Sequence, residues 1–464
     1  MELARFVSLE EVAEVLNAKF IKGEKTFLGT PLSVDTRTMK EGQGFIALKG
    51  SKVDGHKYVK DAIDKNASYL IVEEAKLDEI LPTAIQKQVS LLAVKDTSLA
   101  LKKLAQFIFS EKSNLKEVIS ITGTAGKTTT RECLAAALGS AFKVHSAIKS
   151  YNTWIGCALT IASMPIDTEI LILEMGTNHP GEIMEMVELF PPSIGVITSV
   201  GPGHLEGLGD IGGVIRAKTE LLTSSKLHTF YYNADISLLE DAVNNYPSTS
   251  EKIGVGFKAG KIRLAVESFS LNEEGANLKV IVSEKDVKHV FDSSLFGLQN
   301  AYSIGFAASV SRRLSLKAED IAEALKRVSP LDGRGKIGKT LRGAVYIDET
   351  YNANPLSLKA AMDNLKMLEV KGKKILVLGS MKELGEYSAY WHQVILEEAN
   401  FADLVVLVGD EWPSRDLGPN FVKCESNQEA ALLLREKLNP EDVVLLKGSR
   451  SNKLEEIIHD LRGL

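Results

Sequence analysis

The chain has 464 residues, of which 44% are hydrophobic and 25% are charged, and its formal net charge is −6. This length predicts about three domains, and this composition is typical of a globular protein in water. A slightly acidic chain lacks the basic surface that nucleic-acid binding requires, so we expect no nucleic-acid partner. No apolar run approaches the ~20 residues of a membrane-spanning helix, so we expect no membrane insertion.

The N-terminal residues and the cysteines indicate the cellular compartment. Ser8 to Glu11 reads as a helix-capping sequence, not as part of a signal peptide. Cys133, Cys157 and Cys424 lie far apart and form no paired motif, so we expect neither a disulfide framework nor structural zinc. A cytoplasmic location is the resulting expectation.

Short strands and helices alternate in the first 95 residues. Residues 45–48 and 69–72 are apolar and strand-like, and an apolar-periodic helix beginning at Ser98 follows them. We predict a small α/β N-terminal domain over residues 1–95.

A glycine loop is the most informative motif. It follows the apolar residues 118–121 and opens a helix-like stretch over residues 129–138. Backbone N–H groups at a helix start bind phosphate, the lysine adds charge, and the threonine hydroxyl can bind Mg²⁺. The general motif has a glycine where Ile121 stands, so this loop is a shortened form. The alternative is a glycine turn before a surface lysine. The residues predicted to bind a nucleoside triphosphate here are Gly123, Thr124, Ala125, Gly126, Lys127, Thr128 and Thr129.

Three further residues of the middle third are candidates. Glu174 ends the strand-like residues 169–173, where a carboxylate can hold Mg²⁺; the alternative is a surface acid. His204 follows the next strand, and the alternative is a structural or surface histidine. Lys218, with charged neighbours, reads by itself as a solvated helix lysine. It could serve a metal site only if carbamylation by CO₂ removed its positive charge.

The chain is predicted to belong to the α/β class. Residues 254–296 alternate like antiparallel strands, which makes them a β-rich extension of a central P-loop parallel-sheet domain over residues 96–329. Residues 330–464 form a Rossmann-like open-sheet domain, with strands over 344–347, 374–378, 404–408 and 443–446. It has no glycine fingerprint for a nicotinamide or flavin cofactor.

Polar residues follow two of the C-terminal strands. Asp348, Tyr351, Asn352 and Asn354 precede Pro355, and on composition alone an ordinary turn and helix start is favoured. Residues 447–451 offer two cations and two hydroxyls to an anion or carboxylate, although the cap of a C-terminal helix explains them nearly as well.

These motifs, in this order, resemble the Mur ligases, the ATP-dependent amide-forming enzymes of bacterial cell-wall synthesis. The shortened glycine loop is the family's form of the motif, and the resemblance covers nearly the whole chain. The segments that carry it are residues 34–37, 45–50, 54–56, 123–128, 151–152, 174–176, 179–183, 204–206, 348–355, 383–388 and 447–451.

The resemblance implies roles for the candidates. Thr128 and Glu174 would hold one Mg²⁺ and His204 a second, while Lys218 would be carbamylated and serve as a metal ligand. Catalysis would rest on Lys127, Glu174, His204 and Lys218. The residues implied to reach ATP from elsewhere are Asn300, at the adenine, with Arg334, Asp348 and Tyr351. Those implied to contact the other substrates are Ser33, Thr36, Arg37, Lys49, Asn152, Asn352, Asn354, Lys447, Ser449 and Arg450.

The resemblance also implies an activity. Residues 447–451 are characteristic of the branch that joins D-alanyl-D-alanine to UDP-N-acetylmuramoyl-tripeptide through an acyl phosphate, and a monomer is expected. The chain departs from the family at Thr153 and Trp154, at Ser380, and in an insertion over residues 335–339. One alternative is a sister or polyglutamate-type ligase that adds a single amino acid. A P-loop NTPase switch or regulatory binding module is the other, and the set of Glu174, His204 and Lys218 counts against it.

Overall fold

The computed structural model describes residues 8–23, 32–50, 53–111, 114–147, 150–272, 275–413 and 417–463. Within these ranges the chain forms three sheets, of five, nine and six strands. Contacts divide the chain into two compact units. The first comprises Met1–Ser120, Phe142–Met175 and Glu185–Ser193, and the second comprises Ile121–Ala141, Gly176–Met184 and Ile194–Leu464.

The N-terminal part of the first unit is a small α/β fold. Its elements are α1 (Leu9–Leu16), β1 (Lys19–Ile21), β2 (Leu32–Ser33), β3 (Gly44–Ile46), α2 (Val59–Asp64), β4 (Tyr69–Glu73), α3 (Leu77–Gln86), β5 (Ser90–Val94) and α4 (Thr97–Glu111). The strand order is β1-β5-β4-β3-β2, parallel except for the antiparallel pairing of β1 with β5. The predicted capping box is confirmed, because Ser8 and Glu11 bond reciprocally at the start of α1.

The middle of the chain continues the alternation. Its elements are β6 (Glu117–Thr122), α5 (Lys127–Leu138), β7 (Val144–Ser146), α6 (Trp154–Ala162), β8 (Ile170–Glu174), α7 (Glu182–Leu189), β9 (Ile194–Ile197), α8 (Leu205–Leu208), α9 (Ile211–Thr219), β10 (Thr229–Asn233), α10 (Ser237–Asn245), β11 (Glu251–Gly256), β12 (Ile262–Asn272), β13 (Gly275–Glu284), β14 (Val287–Ser293), α11 (Asn300–Arg313) and α12 (Ala318–Lys326).

These strands make up the nine-stranded sheet. In the first unit β7 pairs with β8 in parallel. In the second unit β9, β10 and β11 are parallel, and β12, β13 and β14 form an antiparallel meander. The predicted parallel sheet with a β-rich extension is therefore confirmed.

The C-terminal part forms the six-stranded sheet. Its elements are β15 (Lys336–Lys339), β16 (Val345–Glu349), α13 (Pro355–Met367), β17 (Lys374–Gly379), α14 (Ser388–Ala399), β18 (Leu404–Val408), β19 (Phe421–Cys424), α15 (Asn427–Lys437), β20 (Val443–Lys447) and α16 (Glu455–Arg462). The strand order is β15-β16-β20-β17-β18-β19, and only β15 is antiparallel to its neighbour. The open-sheet prediction and its four strands are confirmed. Strand β15 falls in residues 335–339, the segment expected to be an insertion relative to the family, and that expectation stays a prediction.

Candidate functional site

The glycine loop joins β6 to α5 through two backbone conformations that favour glycine. Gly123 has φ 151° and Gly126 has φ 86°. A Cβ added at Gly123 would lie 2.0 Å from Oγ1 of Thr198, so no side chain fits there without a shift. The loop is therefore a close-packed turn that leads directly into the N-terminus of α5, which is the arrangement that binds phosphate.

Thr198 and Ser199, which directly follow β9, form hydrogen bonds with the glycine loop. Thr198 Oγ1 donates to the Ala125 carbonyl at 2.6 Å, and Ser199 Oγ accepts from the Ala125 N–H at 2.9 Å. The Thr124 N–H donates to the Ser199 carbonyl at 3.0 Å. Thr198 and Ser199 were not among the predicted site residues, although polar residues at a strand end were the available signal.

Lys127 and Thr128 begin α5 at the loop. Nζ of Lys127 donates to the Gly123 carbonyl at 2.6 Å, which holds the ammonium against the loop. Thr128 is only 2% exposed, while Thr129 is partly buried. The loop thus combines a positive charge, a hydroxyl and a helix N-terminus, which together suit a triphosphate with Mg²⁺.

Lys218 is buried in α9, contrary to the reading as a solvated helix lysine. It is 1% exposed. Burial lowers the pKa of its amine well below the ordinary range, and the charge of Lys127 lowers it further. Only a neutral amine adds CO₂, so this environment fits carbamylation.

His204 is the N-cap residue of α8, has φ 56°, and contacts the C-terminal part of the same unit. Its Nδ1 lies 2.8 Å from Oε2 of Glu383, with side chains 25% and 52% exposed. The hydrogen bond to His204 holds the pKa of the Glu383 carboxyl below its usual value. With Nδ1 engaged, Nε2 is the ring nitrogen left for a metal.

Glu174 ends β8 as predicted, and it is 1% exposed. This burial contradicts the surface-acid alternative. Glu174 lies in the first unit, whereas Thr128, His204 and Lys218 lie in the second, so a magnesium site shared by all four stays a prediction.

The donor set nevertheless fits Mg²⁺. A hydroxyl, a carboxylate and a carbamate would supply the oxygen ligands that this ion prefers. Among the described residues, no group of three or more His, Cys, Asp or Glu side chains could hold a metal. The predicted set contains only two such residues, because its other two members are a threonine and a modified lysine.

Asp348 organises the loop that carries Arg334. Its carboxylate accepts from the Gly333 N–H at 2.9 Å and from Thr350 Oγ1 at 2.6 Å, and it is 8% exposed. The Arg334 guanidinium lies 4.0 Å from the centroid of the Tyr351 ring. The structure therefore brings Asp348, Arg334 and Tyr351 together.

Asn300, the candidate adenine-binding residue, lies at the start of α11. Its Nδ2 donates to the Phe296 carbonyl at 2.7 Å.

The turn after β16 is also a helix cap, as its composition favoured. Asn354 Oδ1 accepts from the Ser357 N–H at 2.9 Å at the start of α13. Its Nδ2 donates to the Thr124 carbonyl of the glycine loop at 3.4 Å. Asn352 Oδ1 accepts from the Ala353 N–H at 2.9 Å. Asn354 therefore links α13 to the phosphate-binding loop.

Residues 447–450 are engaged within the protein itself. Lys447 Nζ lies 2.9 Å from Glu349 Oε2 and also donates to the Asn352 carbonyl at 3.1 Å. Ser449 Oγ accepts from the Lys382 N–H at 3.0 Å, and Arg450 pairs with Glu455 at 2.9 Å. Glu349 was not among the predicted site residues, although it stands beside Asp348. The helix-cap alternative is wrong, because α16 begins only at Glu455.

The N-terminal candidates lie at the end of β2, in the turn that follows it, and after β3. Arg37 forms a two-point ion pair with Asp35, with 2.9 and 2.8 Å contacts, while its side chain is 87% exposed. Ser33 Oγ bonds to the backbone of Asp35, and Thr36 is buried. Lys49 forms an isolated bridge with Asp54. In the same unit, Asn152 lies partly buried just before Thr153, which caps α6.

Three family profiles cover most of the chain. The Mur ligase family catalytic domain matches residues 30–108, the Mur ligase middle domain matches 121–310, and the Mur ligase glutamate ligase domain matches 333–450. Within the described ranges, no helix has the length and apolarity needed to cross a bilayer.

Named relatives match over nearly their whole length. The UDP-N-acetylmuramoyl-tripeptide–D-alanyl-D-alanine ligase of Bacillus subtilis is 31% identical over 440 residues, covering 93% of this chain and 92% of the relative. The structure of MurF from Thermotoga maritima in complex with ADP is 25% identical, with TM-score 0.77 and coverage of 94% and 98%. MurF from Acinetobacter baumannii, 22% identical with TM-score 0.80 and coverage of 99% and 100%, shows the same fold.

Proposed function

The chain belongs to the Mur ligase family, and on that premise we propose that it joins D-alanyl-D-alanine to UDP-N-acetylmuramoyl-tripeptide with cleavage of ATP to ADP and phosphate. The observation that carries this proposal is the similarity along the whole chain to a relative of that activity. The proposal includes a monomer in the cytoplasm, where ATP and a nucleotide-linked sugar are available.

We assign a different substrate to each of three parts of the chain. Residues 1–95 bind the UDP-sugar, where Ser33, Thr36, Arg37 and Lys49 lie. Residues 96–329 bind ATP through the glycine loop and Asn300. Residues 330–464 present the dipeptide, and their contacts to the loop through Asn354 support a role beside ATP.

The reaction begins when the terminal carboxylate of the tripeptide attacks the γ-phosphorus of ATP, which releases ADP and leaves an acyl phosphate. Lys127 and the N–H groups at the start of α5 stabilise the charge that develops on the phosphate oxygens. The free amine of D-alanyl-D-alanine then attacks the acyl carbon. The new amide forms as phosphate leaves, and the amine gives up a proton.

Arg334 and Asp348 act on the same phosphates as a unit. The Asp348 carboxylate also accepts from the N–H of Gly333, the residue before Arg334, and so helps to position the Arg334 guanidinium beside the Tyr351 ring. Asn152, Asn352, Lys447, Ser449 and Arg450 would contact the peptide substrates.

Mg²⁺ would be held by Thr128, Glu174, His204 and carbamylated Lys218. When bound, it supplies positive charge that offsets the triphosphate. Burial lowers the pKa of the Lys218 amine and so favours its neutral form, which supports the modification because a protonated amine cannot react with CO₂.

Phosphate release from ATP tests the function directly. We expect release that requires both UDP-N-acetylmuramoyl-tripeptide and D-alanyl-D-alanine. Release with a single amino acid in place of the dipeptide would indicate a sister ligase. Release with no acceptor amine would indicate an NTPase switch and contradict the proposal.

A further inference from the structure

The contact between His204 and Glu383 joins two different sheets of the second unit. His204 follows β9 in the nine-stranded sheet, whereas Glu383 follows β17 in the six-stranded sheet. The two side chains meet at 2.8 Å between Nδ1 and Oε2. The two residues are far apart in the sequence, so the pair forms only when the two sheets are docked.

The backbone supports the same contact. The Glu206 N–H donates to the Glu383 carbonyl at 3.3 Å. A Cβ added at Gly385, which has φ 54°, would lie 3.2 Å from Cα of Glu206. Glu383 itself has φ 65°, a conformation that few residues other than glycine adopt. The loop of residues 383–385 is thus closely fitted to the start of α8.

Other contacts of the C-terminal part surround this loop. Asn354 reaches the Thr124 carbonyl, and a Cβ added at Gly201 would lie 2.9 Å from Leu356 Cδ2. The loop at Glu383 is therefore one part of a wider docking surface at the ends of β6 and β9.

Stability does not account for the pair. The Glu383 side chain is 52% exposed, and exposed ion pairs contribute little to folding. A carboxylate on one ring nitrogen of a histidine does, however, fix the tautomer and the ring orientation. When the proton of a histidine lies on the ring nitrogen next to the carboxylate, the other ring nitrogen carries the lone pair that can bind a cation.

We propose that Glu383 is a positioning residue that holds the ring of His204 with Nε2 ready for the divalent cation. This inference rests on the proposed function, in which His204 is a metal ligand. The cation site would be complete only while the C-terminal part is docked, because the orienting carboxylate comes from that part.

Variants at Glu383 separate this role from others. Glu383→Ala removes the acceptor, whereas Glu383→Gln retains an oxygen that accepts from Nδ1–H. Glu386→Gln is the matched control, because Glu386 is an exposed carboxylate in the adjoining segment. Two readouts need no turnover: Mn²⁺ affinity in the presence of ADP, by electron paramagnetic resonance, and the ¹⁵N shifts of the His204 ring in the metal-free protein.

We expect Glu383→Ala to weaken Mn²⁺ binding about 10-fold and to mix the two tautomers of His204. Glu383→Gln should restore most of both, and Glu386→Gln should change neither. Unchanged affinity or an unchanged tautomer in Glu383→Ala would overturn the proposal, as would an equal loss in Glu386→Gln. The wild-type ligase assay is independent of these readouts, so failure of the proposed function would be recognised separately.

Discussion

Lys447 and Glu349 stand opposite each other on the parallel strands β20 and β16, and their side chains form a buried ion pair. The side chains are 4% and 14% exposed, and 2.9 Å separates Nζ from Oε2. A buried pair is costly to break from one side, because the remaining charge has no water to solvate it.

Glu349→Gln is therefore expected to lower the free energy of unfolding by about 3 kcal/mol, and Lys447→Met by a similar amount. The double variant should lose less than the sum, since no charge is left unpaired. Urea unfolding measures all three. A Lys447→Met variant of normal stability whose only defect is a raised KM for a substrate would contradict this structural role.

Gly123→Ala is expected to weaken ATP binding at least about 10-fold, because the new methyl group would force Thr198 and the glycine loop apart. Isothermal titration with ATP measures the loss. Gly275→Ala is the matched control: its φ is 133°, also unfavourable for alanine, but no atom lies within 4 Å of the added Cβ. Equal ATP binding by Gly123→Ala and the wild type would show that the loop tolerates the methyl group.

Lys218 should make stability depend on pH. Its pKa is lowered in the folded protein, first by burial, whereas the unfolded chain has the ordinary value of about 10.4. Unfolding therefore takes up a proton, and the wild type loses stability as pH falls from about 10 toward the lowered pKa.

In CO₂-free buffer, Lys218→Met should gain stability over the wild type progressively as the pH falls below about 10. Denaturant unfolding at several pH values measures the difference. Added bicarbonate should stabilise the wild type alone, because carbamylation occurs only on a lysine in the folded site. A difference that stays constant with pH would contradict the lowered pKa.

Asn354 has two contacts that two variants can separate. Asn354→Ala removes the cap of α13 and should cost about 1 kcal/mol of stability. Asn354→Asp keeps a capping oxygen for the Ser357 N–H but cannot donate to the Thr124 carbonyl. We expect near-normal stability and a raised KM for ATP in Asn354→Asp. Equal destabilisation by both variants would show that capping is not the main role.

Local patterns predicted much of the fold. The capping box at Ser8, the glycine loop, the antiparallel extension and the four strands of the last sheet all follow from short-range periodicity and turn residues. Such features are determined by residues that are close together in the sequence, so local sequence patterns can predict them.

Burial and long-range pairing were harder to predict. Lys218 looked solvated because Arg216 and Glu220 flank it. It lies one helical turn from the buried Val214, however, and this spacing could have predicted that Lys218 is buried as well. The pairing of His204 with Glu383, and of Lys447 with Glu349, depends on how distant strands are ordered. No local pattern contains that information.

Strand β15 closes the exposed side of β16, the strand that carries Asp348 and Glu349. Without it, the N–H and C=O groups of β16 would form an open edge, which pairs readily with strands of other molecules. Lysines stand at both ends of β15, and Tyr346 covers Gly338 across the ladder. This segment therefore moves the open edge of the sheet from the strand that carries Asp348 and Glu349 to a short strand with a lysine at each end.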